Sequence, residues 1–286
     1  MSTNLLRRLT VAAVGIPAAF AFIYIGGWVL TALVAFLAVA GTVEVYRLAA
    51  AGGTRAATAV GLLGAALAPV VAYGATPVGP TIEPAWVALG AAGWLIAATL
   101  FVTATYHPTE RPLAALAITV FAALYAGGLP AFILVLRHGP GLASPWGATW
   151  IVLLPLVVTW ICDTAAMAGG AVVGGPKLAP VLSPKKTWAG AVAGAASAVV
   201  VAPIFGMLAL TPFGVGLAWW QLATFGLVIS VLGQIGDVAE SLLKREVGIK
   251  DSGGFFPGHG GVLDRFDSLY WVLPASVALY KLFGVV

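Results

Sequence analysis

Acidic, basic and hydroxyl side chains gather in two stretches of this 286-residue chain. The first runs Asp163-Thr164-Ala165-Ala166, then Gly169-Gly170, Gly174-Gly175-Pro176-Lys177 and Ser183-Pro184-Lys185-Lys186-Thr187-Trp188. Glycines let backbone N–H groups approach phosphate oxygens, and lysines supply point charges. Ser or Thr at the start of a helix adds donors where the helix dipole favours an anion. A plain loop whose lysines follow the membrane-topology rule is the bland alternative. Asp163 weighs against it, because an acid at the end of an apolar helix needs a partner or a metal.

The second stretch is denser: Gly236-Asp237-Val238-Ala239-Glu240-Ser241, Lys244-Arg245, Lys250-Asp251, Pro257-Gly258-His259-Gly260-Gly261 and Asp264-Arg265-Phe266-Asp267. Asp264 and Asp267 are three apart, so on a helix both project from one face and repel unless a cation sits between them. Carboxylates with a single cysteine and three histidines in the whole chain point to Mg²⁺ over zinc. Asp237, at the preceding helix end, completes the candidate metal set. Each feature also has an ordinary structural explanation: a helix N-terminal charge pattern for Asp264 to Asp267, an i,i+4 pair for Glu240 and Lys244, a turn for Gly260-Gly261. Taken together, they describe a polyphosphate-plus-metal site. His259 belongs to that motif, as a phosphate contact or loop organiser. His107 and His138 are expected in solvated loops, and Cys162 as a small packed hydrophobe.

Helices in lipid must position these groups. Hydrophobic residues make up 61% of the chain and charged residues 8%, against about 25% charged in soluble domains. A soluble surface cannot be built from so few charges. Disorder and a disulfide framework are excluded by the same composition and the lone cysteine. Nucleic-acid binding is not expected: the net charge of +4 is spread in pairs between apolar stretches.

Apolar runs separated by polar or Gly/Pro breaks predict an all-α, polytopic membrane helix bundle of about nine spans: 9–25, 28–46, 57–75, 84–105, 112–136, 149–169, 188–210, 218–240 and 268–285. The first is read as a retained span, not a cleaved signal, because similar stretches follow at once. Gly127-Gly128-Leu129-Pro130 marks a possible break in the fifth. With the N-terminus in the cytoplasm, 12 of the 14 basic residues fall inside, leaving Arg137 and Lys281 outside with the C-terminus. Residues 1–148 then read as scaffold and lipid cleft, and 149–286 as the helices with cytoplasmic catalytic loops, within one membrane domain. Seven of the ten acids lie between Asp163 and Asp267, so the chemistry belongs to that half.

Ser241-Leu-Leu-Lys244-Arg245, Lys250-Asp251-Ser-Gly253 and Phe256-Pro257-Gly-His259-Gly260-Gly261-Val-Leu-Asp264-Arg265-Phe-Asp267 together resemble the hallmark of the phosphatidate cytidylyltransferases, or CDP-diacylglycerol synthases. The block from Ser183 to Thr187 is similar to that family's as well. Ala189 departs from it, standing where many relatives carry an acid. The resemblance implies transfer of CMP from CTP to phosphatidate with Mg²⁺, a second, monovalent cation being compatible with the site. It implies Asp237, Asp264 and Asp267 as metal ligands, and Lys185, Lys186, Lys244, Arg245, Lys250 and Arg265 as neutralisers of the attacking and leaving groups. Asp163, Lys177, Ser183, Thr187, Ser241, Asp251, His259, Gly260 and Gly261 are implied in substrate binding. A homodimer in a bacterial cytoplasmic membrane is implied by resemblance only. The alternatives are a related membrane enzyme acting on another lipid phosphate, a polyprenol kinase and, less favoured, a transporter. A CDP-alcohol phosphotransferase is disfavoured because no Asp-Gly dipeptide occurs.

Overall fold

The computed structural model describes residues 3–139, 144–256 and 260–285, with side chains from residue 13 onward. His259 therefore lies outside the described residues. The chain divides into two compact units, one of residues 1–138 with 246–266, the other of 139–245 with 267–286. It passes between them inside the second charged stretch.

The first unit holds α1 (Thr3–Ile25), α2 (Gly27–Ala51), α3 (Thr58–Gly74), α4 (Pro84–Thr105), α5 (Pro112–Ala122) and α6 (Leu129–His138). Between α1 and α2 the chain turns at Gly26 and Gly27, at φ of 65° and 54°, backbone that L side chains rarely adopt. The end of α6 clamps this turn. The Arg137 guanidinium donates to the carbonyls of Ile23 and Tyr24, both at 2.6 Å, satisfying acceptors that a helix C-terminus leaves open. His138 Nε2 accepts from the Gly27 N–H at 2.9 Å. His138 is thus a half-buried acceptor and not the solvated loop residue expected; the α1–α2 turn had an N–H to satisfy, and the imidazole reaches it. His107 is exposed and caps a short 3₁₀ turn, as a loop residue should.

Gly127 and Pro130 do not break the fifth apolar run. Residues Ala123–Gly128 form a π-helical turn joining α5 to α6, a local widening that helices tolerate. A Cβ on Gly127 would meet the Ala65 backbone at 2.8 Å, so the glycine permits α3 to approach.

The second unit holds α7 (Pro145–Val173), a β-hairpin of β1 (Lys177–Ala179) and β2 (Ser183–Thr187), α8 (Trp188–Phe205), α9 (Trp219–Glu246, to Arg245) and α10 (Leu263–Leu282, from Asp267). Small residues set its helix spacing, as is usual where helices pack without a hydrophobic driving force. A Cβ on Gly190 would sit 2.5 Å from the Ala166 carbonyl of α7, and one on Gly194 would sit 2.9 Å from that of Cys162. Gly226 on α9 meets the Ala198 carbonyl of α8 in the same way. Cys162 is buried, as its type suggests.

Among the described residues, six helical segments are long and apolar enough to cross a bilayer: α2, α4, the α5–α6 pair, α7, α8 and α9. Shorter apolar helices cover Ala13–Ile25 and Thr58–Gly74. Helix α4 buries only 11% of its apolar window and exposes Trp86, Leu89, Leu95, Ile96 and Leu100. In water such a face would be an aggregation hazard; in lipid it is solvated. The protein is an all-α, polytopic integral membrane bundle, with the hairpin its one extended element among the described residues.

Candidate active site

The hairpin in the second unit carries the lysines. Helix α7 ends at Gly174 and Gly175, with φ of 68° and 88°, a left-handed exit that glycine makes without strain. Strand β1 then pairs antiparallel with β2, Lys177 opposite Thr187 and Ala179 opposite Ser183. Thr187 is the N-cap of α8, its hydroxyl accepting from the Gly190 N–H at 3.1 Å. That bond satisfies one of the donors orphaned at a helix start. Lys177 and Lys185 are exposed, and Ser183 is half-buried. Gly169 and Gly170, read from the sequence as phosphate-facing, lie within α7 and pack against α8: a Cβ on Gly170 would meet Thr187 Oγ1 at 2.9 Å. Their role is close helix contact.

Lys186 reaches inward, with Nζ 2.6 Å from Asp237 Oδ2 on α9. The next helix is close by: a Cβ on Gly236 would stand 2.9 Å from the Asp267 carbonyl of α10. Asp267 sits just before the apolar stretch 268–285, and burial pushes its carboxyl up to about 7. The Asp237 carboxylate adds to the rise and, less strongly, so does Asp163 on α7; the Ser268 N–H, donating to Oδ1 at 2.6 Å, and the Lys244 ammonium oppose it. Lys244, one turn beyond fully buried Glu240, holds its ammonium 3.0 Å from Glu240 Oε1. The i,i+4 pair expected from the sequence is therefore present, and it is buried. Ser241 beside it is buried as well, while Arg245 is exposed.

The hairpin, α8 and α9 also enclose an apolar groove of about 620 Å³, lined by Leu178 of β1, Trp188 and Val192 of α8, and Val231, Ile235 and Val238 of α9. Its walls alternate with the polar residues along the same elements: Lys177 precedes Leu178, Thr187 precedes Trp188, and Asp237 precedes Val238.

The rest of the second stretch belongs to the first unit. Lys250, Asp251 and Arg265 are exposed. Phe256 and Gly260 form an isolated antiparallel bridge, and Gly260 has a φ of 85°. The Asp264 carboxylate is engaged locally: Oδ2 accepts from the N–H groups of Ser252 at 2.9 Å and Gly261 at 2.8 Å. Asp264 lies in the first turn of α10 and Asp267 three residues on, and the two have different partners.

Among the described residues, no group of three or more His, Cys, Asp or Glu stands ready to enclose an ion. One participant escaped the sequence reading. Glu44 of α2 is 3% exposed and accepts from the N–H groups of Val262 and Leu263, each at 2.9 Å, and from the Ser252 hydroxyl at 2.8 Å. An acid inside the apolar run 28–46 was the available signal.

The cytidylyltransferase family model matches residues 6–283. The phosphatidate cytidylyltransferase of Brucella suis biovar 1 (strain 1330) is 46% identical over 165 residues, 58% of this chain and 56% of that protein. The Bacillus subtilis (strain 168) protein of the same name is 39% identical over 163 residues, 57% of each chain. The Synechocystis protein, also so named, is 28% identical over 94% of both chains. The alignments with the Brucella proteins span little more than half of those relatives' length, while the family model covers nearly the whole chain. A hydroxyl-capped helix following a lysine hairpin, an acid paired with one of those lysines and an apolar groove lined by the hairpin accompany that match; the chain belongs to the cytidylyltransferase family.

Proposed function

We propose that this protein transfers CMP from CTP to phosphatidate, giving CDP-diacylglycerol and pyrophosphate. One observation carries the reading: the Lys186–Asp237 pair joins the hairpin to α9, and both the hairpin, through Leu178 and Leu182, and α9, through Val238, line the apolar groove. A site that must hold polyphosphate and acyl chains together needs this junction. In the reaction a phosphate oxygen of phosphatidate forms a bond to the α-phosphorus of CTP. The bond from that phosphorus to the oxygen bridging the β-phosphate breaks, and pyrophosphate leaves. The attacking oxygen is already anionic, so no strong general base is required. The barrier is electrostatic, because two polyanions meet and a third departs.

The residues of the second unit suit that task. Lys177 and Lys185 stand exposed on the hairpin for incoming phosphates, Arg245 on the end of α9, and Lys186 and Lys244 are oriented by acids. Asp237 and Asp267 fit a hard divalent cation by the chemistry of the donors: both offer oxygen, and the Asp237 carboxylate raises the cost of ionising Asp267. Mg²⁺ is ordinarily held by one or two carboxylates together with substrate phosphates. Bound there, Mg²⁺ would neutralise charge on the CTP phosphates. Asp264 is the third ligand that the resemblance implies, and Lys250 and Arg265 the further cations. The acyl chains lie along the groove, with the charged loops on the cytoplasmic face.

Purified protein supplied with CTP labelled at the α-phosphate and a panel of lipid phosphates tests this. Label should enter a lipid product with phosphatidate, and CTP labelled at the γ-phosphate should leave the lipid unlabelled. Transfer of the γ-label would establish a kinase, and preference for another acceptor would reassign the substrate.

A further inference from the structure

Glu44 lies far outside the charged stretches, on an apolar helix, yet it satisfies three donors of the signature loop. Two of them, the Val262 and Leu263 N–H groups, are at the start of α10, where a helix leaves its amides unpartnered and its dipole favours an anion. The third is the Ser252 hydroxyl at the other end of the loop. Ser252 also donates its N–H to Asp264 Oδ2. One carboxylate therefore pins both ends of the segment that holds Asp264.

The loop's glycines are shaped to this carboxylate. A Cβ on Gly253 would come 2.6 Å from Glu44 Oε1, and one on Gly261 would collide with Glu44 Oε2 and the Ser252 hydroxyl. Neither glycine has a left-handed φ, so conformational freedom does not explain them and space does. Two fixed positions of the signature thus answer to a residue outside it. Burying an anion in an apolar helix is costly unless its oxygens are fully hydrogen-bonded, and these donors meet that need.

We propose that Glu44 is a positioning residue for the signature loop, holding the start of α10, and through Ser252 the Asp264 carboxylate, in the arrangement that transfer requires. The kinetic part of this inference rests on the function proposed above; the loop's order does not. Hydrogen exchange on full-length protein, read alongside steady-state kinetics, separates the two. Glu44→Gln keeps the shape but offers one acceptor atom to three donors. Amides of 252–256 and 260–263 should then exchange about tenfold faster or more, while those of α8 are unchanged. kcat should fall about tenfold or more, with the phosphatidate KM within about twofold of wild type. Unaltered loop exchange, an unaltered kcat, or equal loss of protection in the loop and in α8 would overturn the proposal. If Glu44→Gln does not yield folded protein, Ser252→Ala decides: it removes one donor, so the loop alone should exchange faster, and normal loop exchange would end the inference. A wild-type chain without CMP transfer would end the functional reading and leave the exchange result standing.

Discussion

Lys186 Nζ lies 2.6 Å from Asp237 Oδ2, tying the lysine strand to α9. Both side chains keep partial exposure, 26% and 34%, so the pair contributes little to stability, about 0.2–1 kcal/mol for such ion pairs. Under the function proposed above, its value is to orient a cation toward phosphate.

Lys186→Met should therefore separate stability from function. The melting temperature should stay within about 2–4 °C of wild type, while kcat/KM for CTP falls by about 10²-fold or more, comparable to losing a principal electrostatic stabiliser. Thermal denaturation and initial-rate measurements on the same preparation check it. A lowered melting temperature with near-normal kcat/KM would make the pair structural.

Asp267→Asn removes a charge from a site where the Asp237 carboxylate already opposes ionisation. Folding should survive, since relieving like-charge repulsion does not unpack helices. Turnover should fall by orders of magnitude. The stabilisation that Mg²⁺ with CTP gives the wild type should disappear from the variant's melting curve, as linkage requires when a binding site is lost. Retained turnover with unchanged Mg²⁺ stabilisation would end the metal assignment for Asp267.

Two glycine substitutions should move stability in opposite directions. Gly226→Ala would drive a methyl into the Ala198 carbonyl, and overpacking of this kind costs about 1–3 kcal/mol. Gly93→Ala on α4 meets nothing within 4 Å and should stabilise the helix by about 0.5–1 kcal/mol. Melting temperatures in one detergent report both, and equal shifts would contradict the packing described for α8 and α9.

Cysteine labelling in sealed vesicles checks the orientation. Cys162 is the sole cysteine and is buried, so Cys162→Ala provides a clean background. Cysteines introduced at Lys177 and Lys250 should react only with reagent on the cytoplasmic side, as the 12 to 2 division of basic residues requires. Labelling of either from the opposite side would reverse the topology.

Sequence alone determined the features that depend on composition and near neighbours. Apolar runs located the membrane helices, six of the nine expected segments being long and apolar enough to cross among the described residues, because a bilayer demands about 20 apolar residues per crossing. Thr187 reads as a helix start because an N-cap acts within three residues, and the Glu240–Lys244 pair is legible because i and i+4 share a helix face. Tertiary structure decided the contacts that no local rule encodes. His138 accepts from Gly27 across 111 residues of chain, and Glu44 caps α10 across 219. Gly169 and Gly170 turn out to pack helices, because only the approach of α8 shows which face of α7 they occupy. The π-helical turn follows the same logic: its sequence permits a break, a kink or a bulge, and the fit of Gly127 against Ala65 selects the last. Periodicity tells which side of a helix is apolar, but the partner of a single buried polar group is fixed only when distant segments are packed and each donor must find an acceptor.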